Sequence, residues 1–484
     1  MKLVFCLALP VLVLLGCSME PPYQKPEVKT EASFSEDVWQ EARPQIAEVP
    51  DAWWTVFQDP VLSDLEKQVS VSNQTILTNL AQLRAAKGTL NASVASLYPT
   101  FGTATSATKS RNAISTSVNG VNQVNSNLIN TFTLSGSFSW DLDLWGRLAS
   151  TVHENEAAMQ ATAETLAAVR LSEQISLAQT YFAMRTAEAS AATLRQTVAA
   201  NEKFLALTQK RYQSGVAATS DVAAAETQLC TSQAQLLDQE ILRAQDAHAI
   251  AVLMGKQPGE LNLEATGQLP AAPPLPVLIP STLLQRRPDI ASAERTVAAA
   301  NAAVGVAKAA LYPDISLNGS GGFRGGLLPK LLNTSHEFWS VGPAISFSGY
   351  NPKLYDAVTE EAMGNVDQAL SQYRQTVLTA FQEVEDNLVA ARQLEKEEKV
   401  QFLALQAARL TLKDTLDQYK AGTLSYLNVI TAQNTALTAE NTWIAVRNRQ
   451  LVAIGILLKN AAGPWDEKNL PPVNPSPLGD TTAK

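Results

Sequence analysis

The sequence predicts an α+β membrane protein in which one unit (helix, two strands, very long helix, turn, helix) occurs twice. Three observations predict it. First, Leu97-Tyr98-Pro99 recurs as Leu311-Tyr312-Pro313, and Tyr212-Gln213-Ser214-Gly215 recurs as Tyr419-Lys420-Ala421-Gly422. The order is the same and the spacing nearly equal, which marks a duplicated structural unit. Second, Arg147 to Ser214 contain neither Gly nor Pro, and neither do Asn365 to Ala421. At 1.5 Å per residue such runs make helices of roughly 85–100 Å. Third, Phe132 to Leu142 alternates, with Phe132, Leu134, Phe138, Trp140 and Leu142 opposite Thr131, Thr133, Ser135, Ser137 and Ser139. That is the period of a strand with one apolar and one hydroxyl face.

Composition narrows the class. Of 484 residues, 46% are apolar, only 6% aromatic and 17% charged. About 70 are alanine, the best helix former, so the apolar content favours helices packed through small residues. After residue 16 no apolar run approaches the ~20 residues of a membrane-spanning helix, which excludes a helical membrane protein. The net charge of −9 argues against nucleic acid as a partner. Three histidines (His153, His248, His336) and three cysteines (Cys6, Cys17, Cys230) lie far apart. They suggest neither a metal site nor a disulfide framework.

Residues 1–16 read as a secretory signal: Lys2, an apolar stretch from Leu3 to Leu15, then Gly16. Leu14-Leu15-Gly16-Cys17 matches the bacterial lipobox, so Cys17 is the expected lipid attachment point. Ser18, not Asp, follows, which suggests the outer membrane. Residues 17–59 form a lipidated extended segment. Repeat 1 covers 60–257, with strands near 97–109 and 128–142 and long helices near 147–213 and 220–254. Lys109 to Asn127 and Arg324 to Ser335 read as exposed loops. Pro270 to Pro280 lies in a linker, 258–280. Repeat 2 covers 281–462, with strands near 311–323 and 336–347 and long helices near 353–420 and 426–461. Residues 463–484 form a tail.

Both helices of repeat 2 carry heptad spacing. Leu370, Tyr373, Val377, Ala380, Val384, Asn387, Ala391 and Leu394 step alternately by 3 and 4, a seam for a partner helix. Leu427, Ile430, Asn434, Leu437, Asn441, Ile444, Asn448 and Leu451 repeat the steps. Three buried Asn would be costly in a dry core. Either the phase differs and the Asn stripe is exposed, or the helix walls a wet interior. Asp141 and Asp143 sit at a strand-to-helix junction and read as interfacial acids or helix N-terminal charges.

Four strands cannot close a barrel, and open edges are not tolerated in lipid. The chain must therefore share a barrel with copies of itself. Two copies give eight strands, a barrel filled by side chains; three give twelve, so a homotrimer is expected.

The motifs also carry a resemblance. Trp53-Trp54, Phe57, Asp59-Pro60 and Leu62, with Ser139-Trp140-Asp141-Leu142-Asp143-Leu144-Trp145-Gly146-Arg147, resemble the outer-membrane efflux lipoproteins of the TolC superfamily. Leu284-Gln285-Arg286-Arg287-Pro288-Asp289-Ile290, then Ala293-Glu294-Arg295 and Gly305-Val306-Ala307-Lys308-Ala309, resemble the NodT/OprM-like branch that works with resistance-nodulation-division (RND) pumps. Arg211-Tyr212-Gln213-Ser214-Gly215-Val216 resembles a periplasmic tip turn. The resemblance implies a trimer with a twelve-stranded outer-membrane β-barrel and a long periplasmic α-helical barrel, anchored in outer-membrane lipid through Cys17 (N-acyl and S-diacylglycerol, with no other cofactor). It implies a periplasmic adaptor protein and an inner-membrane RND pump as partners. It makes Arg211, Tyr212, Gly215, Tyr419 and Gly422 the adaptor contacts. At the entrance gate it matches Asp221, Tyr419, Leu424, Asn428 and Thr431. Here the sequence departs from the family: Asn428 and Thr431 stand where members carry aspartates, and Leu424 where some carry an arginine. The gate is therefore expected to close through helix packing and tyrosine contacts, with weak cation binding.

The implied function is a passive exit duct of a tripartite efflux pump, not an enzyme. Protein secretion with an ABC-type exporter and a structural coiled-coil lipoprotein are the alternatives. The Arg286-Arg287-Pro288-Asp289 segment favours the pump, and the amphipathic strands disfavour a coiled coil alone.

Overall fold

The structure, a computed structural model, describes residues 18–26, 52–118, 121–273, 287–347, 349 and 351–461, with side chains outside 112–127 and 461. The lipobox with Cys17, residues 274–280 of the linker, Leu284-Gln285-Arg286 and the tail lie outside the described residues.

The elements run α1 (Pro60–Ser72), α2 (Gln74–Ala95), β1 (Thr100–Val118), β2 (Val121–Asp141), α3 (Arg147–Gln213) and α4 (Thr219–Leu253). The second copy gives α5 (Pro288–Ala309), β3 (Asp314–Gly325), β4 (Glu337–Ser346), α6 (Pro352–Lys420) and α7 (Tyr426–Ala461). Local chemistry sets the helix starts. Pro60 fills the first turn of α1, where its missing N–H costs nothing, and Asp59 accepts from Val61 N (2.9 Å) and Leu62 N (3.1 Å). Asn73 caps α2 through Ile76 N at 3.0 Å. Asn351 and Pro352 begin α6 in the same manner. Asp143 accepts from Leu148 N (2.9 Å) and Ala149 N (2.8 Å), so it is the N-terminal charge of α3.

The 67 residues of α3 and 69 of α6 each extend about 100 Å. On α6 the seam buries Tyr373, Val377, Ala380, Val384, Ala391 and Leu394 as expected, with Leu388 replacing Asn387. On α7 the expected phase fails near the turn. Leu427 is 70% exposed, while Tyr426 and Val429 are buried; farther along, Ile444 and Leu451 are buried as expected. A straight helix drifts by ~20° per heptad against a strict 3.5 repeat, so a seam phased at one end slips at the other. Asn434 is exposed, whereas Asn441 and Asn448 are half-buried with Oδ1 enclosed and unpartnered.

The strands form one antiparallel sheet in the order β1-β2-β3-β4. The expected loop Lys109 to Asn127 is instead paired strand: β1 and β2 stay in register from Thr100↔Ser139 to Val118↔Val121. Its Ser and Asn residues hide the period-2 signal, although Asn119-Gly120 is the sequence pair that typically joins such strands. Trp145 stacks on Tyr312 with centroids 4.9 Å apart and donates to Pro313 O at 2.9 Å. Trp140 donates to Leu97 O at 3.0 Å. The Leu-Tyr-Pro landmarks are thus the sockets into which the strand-to-helix signature plugs.

The main core is at mid-helix. Trp53, fully enclosed, and Phe57 pack there, Phe57 against Phe182 at 5.1 Å. Beside it, Arg185, Glu188 and Arg243 tie down the chain leaving repeat 1. Arg185 donates to Glu264 O (2.8 Å), Arg243 to Leu263 O (2.7 Å), and Glu188 accepts from Thr266 N (3.0 Å) and from both arginines.

Candidate functional site: the helical tip

The two repeats each place a turn at the end of the long helices remote from the sheet. Gly215 (φ +72°) and Gly422 (φ +78°) end α3 and α6 in the left-handed conformation that glycine adopts without strain. The bonds are equivalent: Val216 N donates to Arg211 O at 2.9 Å, and Thr423 N donates to Gln418 O at 3.1 Å. A Cβ on either glycine would meet open space, so the requirement lies in the backbone alone.

The structure brings the turns together through side chains of both copies. Tyr419 is 5% exposed, with the Arg211 guanidinium carbon 5.0 Å from its ring centre. Tyr426 lies against it at 5.7 Å and against Phe204 of α3 at 6.3 Å. Ala225 and Val429 complete the cluster. Burial, with the neighbouring Tyr419, pushes the Tyr426 phenol up to about 12, and its hydroxyl has no hydrogen-bond partner. Tyr426 and Phe204 escaped sequence reasoning. The available signal was an aromatic at the first position of α7, seven residues after Tyr419.

The other expected residues are placed differently. Tyr212 is half-exposed. The Asp221 carboxylate accepts from Ala218 N at 3.1 Å and so caps α4. Leu424 is half-buried. Asn428 and Thr431 are exposed on α7 and bond only locally: Asn428 Nδ2 donates to Ser425 Oγ (3.1 Å), and Thr431 Oγ1 donates to Leu427 O (3.0 Å).

Above the tip, a buried amide layer joins the copies. Gln433 Nε2 donates to Asn201 Oδ1 at 2.8 Å, and Asn201 Nδ2 donates to Ser232 Oγ at 3.0 Å. All three side chains are enclosed.

The remaining signature residues prove to be joints. Arg287 forks onto Asp289 at 2.7 and 3.1 Å, reaches Glu383 at 2.9 Å, and donates to Asn460 Oδ1 at 3.1 Å. Burial alone would raise the Asp289 carboxyl, but the Arg287 bonds and charge outweigh it and hold it below its ordinary range. Near the sheet, the segment after Cys17 lies along α5. Tyr23 donates to Glu294, itself paired with Arg295 at 2.7 Å. Asn301 Nδ2 donates to Pro21 O at 2.9 Å, and Glu20 meets His153 at 2.7 Å. The Ala293-Glu294-Arg295 motif is therefore a dock for the N-terminal segment.

Comparison with known proteins agrees with this geometry. The profile of the outer membrane efflux protein family matches the chain twice, over residues 65–256 and 279–461. The toluene efflux pump outer membrane protein TtgC of Pseudomonas putida is 27% identical over 478 residues, covering 96% of each chain. The outer membrane protein OprJ of Pseudomonas aeruginosa is 28% identical over 475 residues, covering 95% of this chain and 96% of its own. Among solved structures, the outer-membrane channel OprN superimposes with a TM-score of 0.83 at 27% identity, over 93% of this chain and 100% of that one. The Campylobacter jejuni outer membrane channel CmeC shares the fold, with a TM-score of 0.84 at 22% identity over 93% and 96%. The two profile matches fall on the two halves whose turns meet at the tip, and the chain belongs to the outer membrane efflux protein family as an efflux channel of the outer membrane.

Proposed function

We propose that three copies of this chain form the exit duct of a tripartite RND-type efflux pump, through which small toxic compounds pass without chemical change. The observation that carries this reading is the sheet. Four antiparallel strands leave the outer edges of β1 and β4 unpaired among the described residues, yet they join two helices of about 100 Å. Lipid admits only closed barrels, so β1 of one copy pairs with β4 of the next. Twelve strands close the barrel, and the long helices continue it as an α-helical tube. Cys17 carries the lipid. Arg211, Tyr212, Gly215 and Gly422 meet a periplasmic adaptor that connects the duct to an inner-membrane pump; Tyr419, expected among these contacts, is enclosed and serves the entrance instead. Tyr419, Asp221, Leu424, Asn428 and Thr431 line the entrance, which closes by the Arg211–Tyr419–Tyr426 packing.

Relatives are named for toluene and antibiotic efflux. Apolar organic compounds of that kind are the proposed cargo. The test is a deletion strain scored against toluene-class solvents, antibiotics, detergents and metals, with the wild-type gene restored in parallel. Sensitivity to the apolar compounds, reversed by the restored gene, is expected. An unchanged panel contradicts the efflux reading.

A further inference from the structure

The three strand pairings do not end together. β2 pairs with β3 only from Phe132↔Gly325 to Asp141↔Ser316, and β3 with β4 from Phe323↔Glu337 to Asp314↔Ser346. β1 and β2 continue alone from Thr108↔Thr131 to Val118↔Val121. At about 3.3 Å per residue this two-stranded ribbon projects roughly 35 Å beyond the four-stranded part.

The register fixes the depth of the membrane. The ten residues of β2 that pair with β3, tilted by ~40°, span roughly the 25 Å apolar band of an outer-membrane barrel. Beyond Phe132, β2 has no partner on its second edge among the described residues, and an open edge is not tolerated in hydrocarbon. The hydrocarbon therefore ends at Phe132–Gly325, and the ribbon stands in the outer leaflet's headgroup layer and above it.

The side chains at that level are specific. On β1 the residues sharing the parity of Phe101, which is 80% exposed and pairs with Phe138 of the apolar face, run Thr103, Thr105, Ala107, Lys109, Arg111. The lipid-facing row thus ends in two exposed cations directly above the hydrocarbon boundary, beside Asn130 and Leu128 in register. Thr108 to Thr131 contains no acidic residue, six Asn and one Gln, in a chain of net charge −9. On the neighbouring loop stands Lys330, and Glu337 opens β4 opposite Phe323, two residues below Gly325 in the register.

We propose that Lys109 and Arg111, at the base of the projecting β1–β2 ribbon, bind the phosphates of the phosphorylated glycolipid that makes up the outer leaflet. An exposed Lys–Arg pair on the lipid-facing row, at the edge of the hydrocarbon, matches an anionic headgroup held at fixed depth. The site rests on outer-membrane placement and not on the cargo, so it stands or falls separately from the efflux reading.

The experiment uses the full-length protein purified in a neutral detergent. Its affinity for lipopolysaccharide and for bisphosphorylated and dephosphorylated lipid A is measured by native mass spectrometry. The expected result is retention of the bisphosphorylated form, about tenfold weaker for dephosphorylated lipid and for K109Q/R111Q. Helix content and single-channel conductance report that the variant is folded. Equal retention by the variant, or retention indifferent to phosphate, overturns the proposal.

Discussion

The guanidinium carbon of Arg211, on the first long helix, stands 5.0 Å from the ring centre of Tyr419, on the second. One contact thereby joins the turn of one repeat to the turn of the other. It is backed by Tyr426 and Phe204, so it sits on a packed apolar floor and is partly shielded from water.

A cation–ring contact of this kind stabilises by about 0.5–2 kcal/mol. Removing it with R211A should raise the spontaneous open probability of the channel several-fold, and R211K should restore part of the closure. Y419A, which also empties a buried site, should open it further. Single-channel recording in planar bilayers gives the answer; closed-state occupancy unchanged in both variants would remove this clasp from the gate.

Cation block tests the other side of the proposed entrance. Asn428 and Thr431 carry no charge and bond only within their own turn of helix. Hexamminecobalt(III) added on the periplasmic side should therefore block weakly. N428D/T431D should tighten block by at least tenfold, since three copies would place six carboxylates in the proposed entrance. Tight block of the unmodified channel contradicts the proposed gate.

Glu188 holds two arginines and the Thr266 amide, with 2% of its side chain exposed. E188Q leaves Arg185 without a compensating charge in a buried setting, a change that costs about 3–5 kcal/mol. The chain from Leu261 to Gln268 should then become a protease cleavage site in the folded protein. Digestion followed by mass mapping detects it, and a wild-type cleavage pattern would show that the strap holds without its anion.

Glu66 is wholly enclosed, and neither carboxylate oxygen has a partner. Burial pushes its pKa up to about 9. The folded chain therefore keeps a proton that the unfolded chain releases near 4.5, and stability falls as pH rises between those values, by up to about 1.4 kcal/mol per unit. E66Q should be more stable than wild type at pH 8 and show little difference at pH 4. Thermal unfolding followed by circular dichroism across that range makes the comparison; parallel curves would mean that Glu66 ionises freely.

Much of the architecture was legible because its signals are local and repeated. Two landmark pairs showed the duplication. Unbroken runs without Gly or Pro showed α3 and α6, and the Tyr373 to Leu394 seam followed from 3–4 spacing. Asp143 could be read as a helix charge from its position alone. The extension of β1 and β2 was not legible, because Ser and Asn on both faces leave no apolar alternation. The phase of α7 was lost because helix and heptad periods diverge over its 36 residues. At the tip, Tyr419 and Arg211 were found through motif resemblance. Their contact was not, since it depends on bringing together residues 208 positions apart in sequence. The Asn201–Gln433 layer was hidden for the same reason.

The account depends most on three chains sharing one barrel. Native mass spectrometry of the detergent-extracted protein measures this directly. A species of three chains that persists on dilution is the predicted result. A predominantly monomeric protein, folded by circular dichroism, would leave β1 and β4 with open edges and contradict the shared tube.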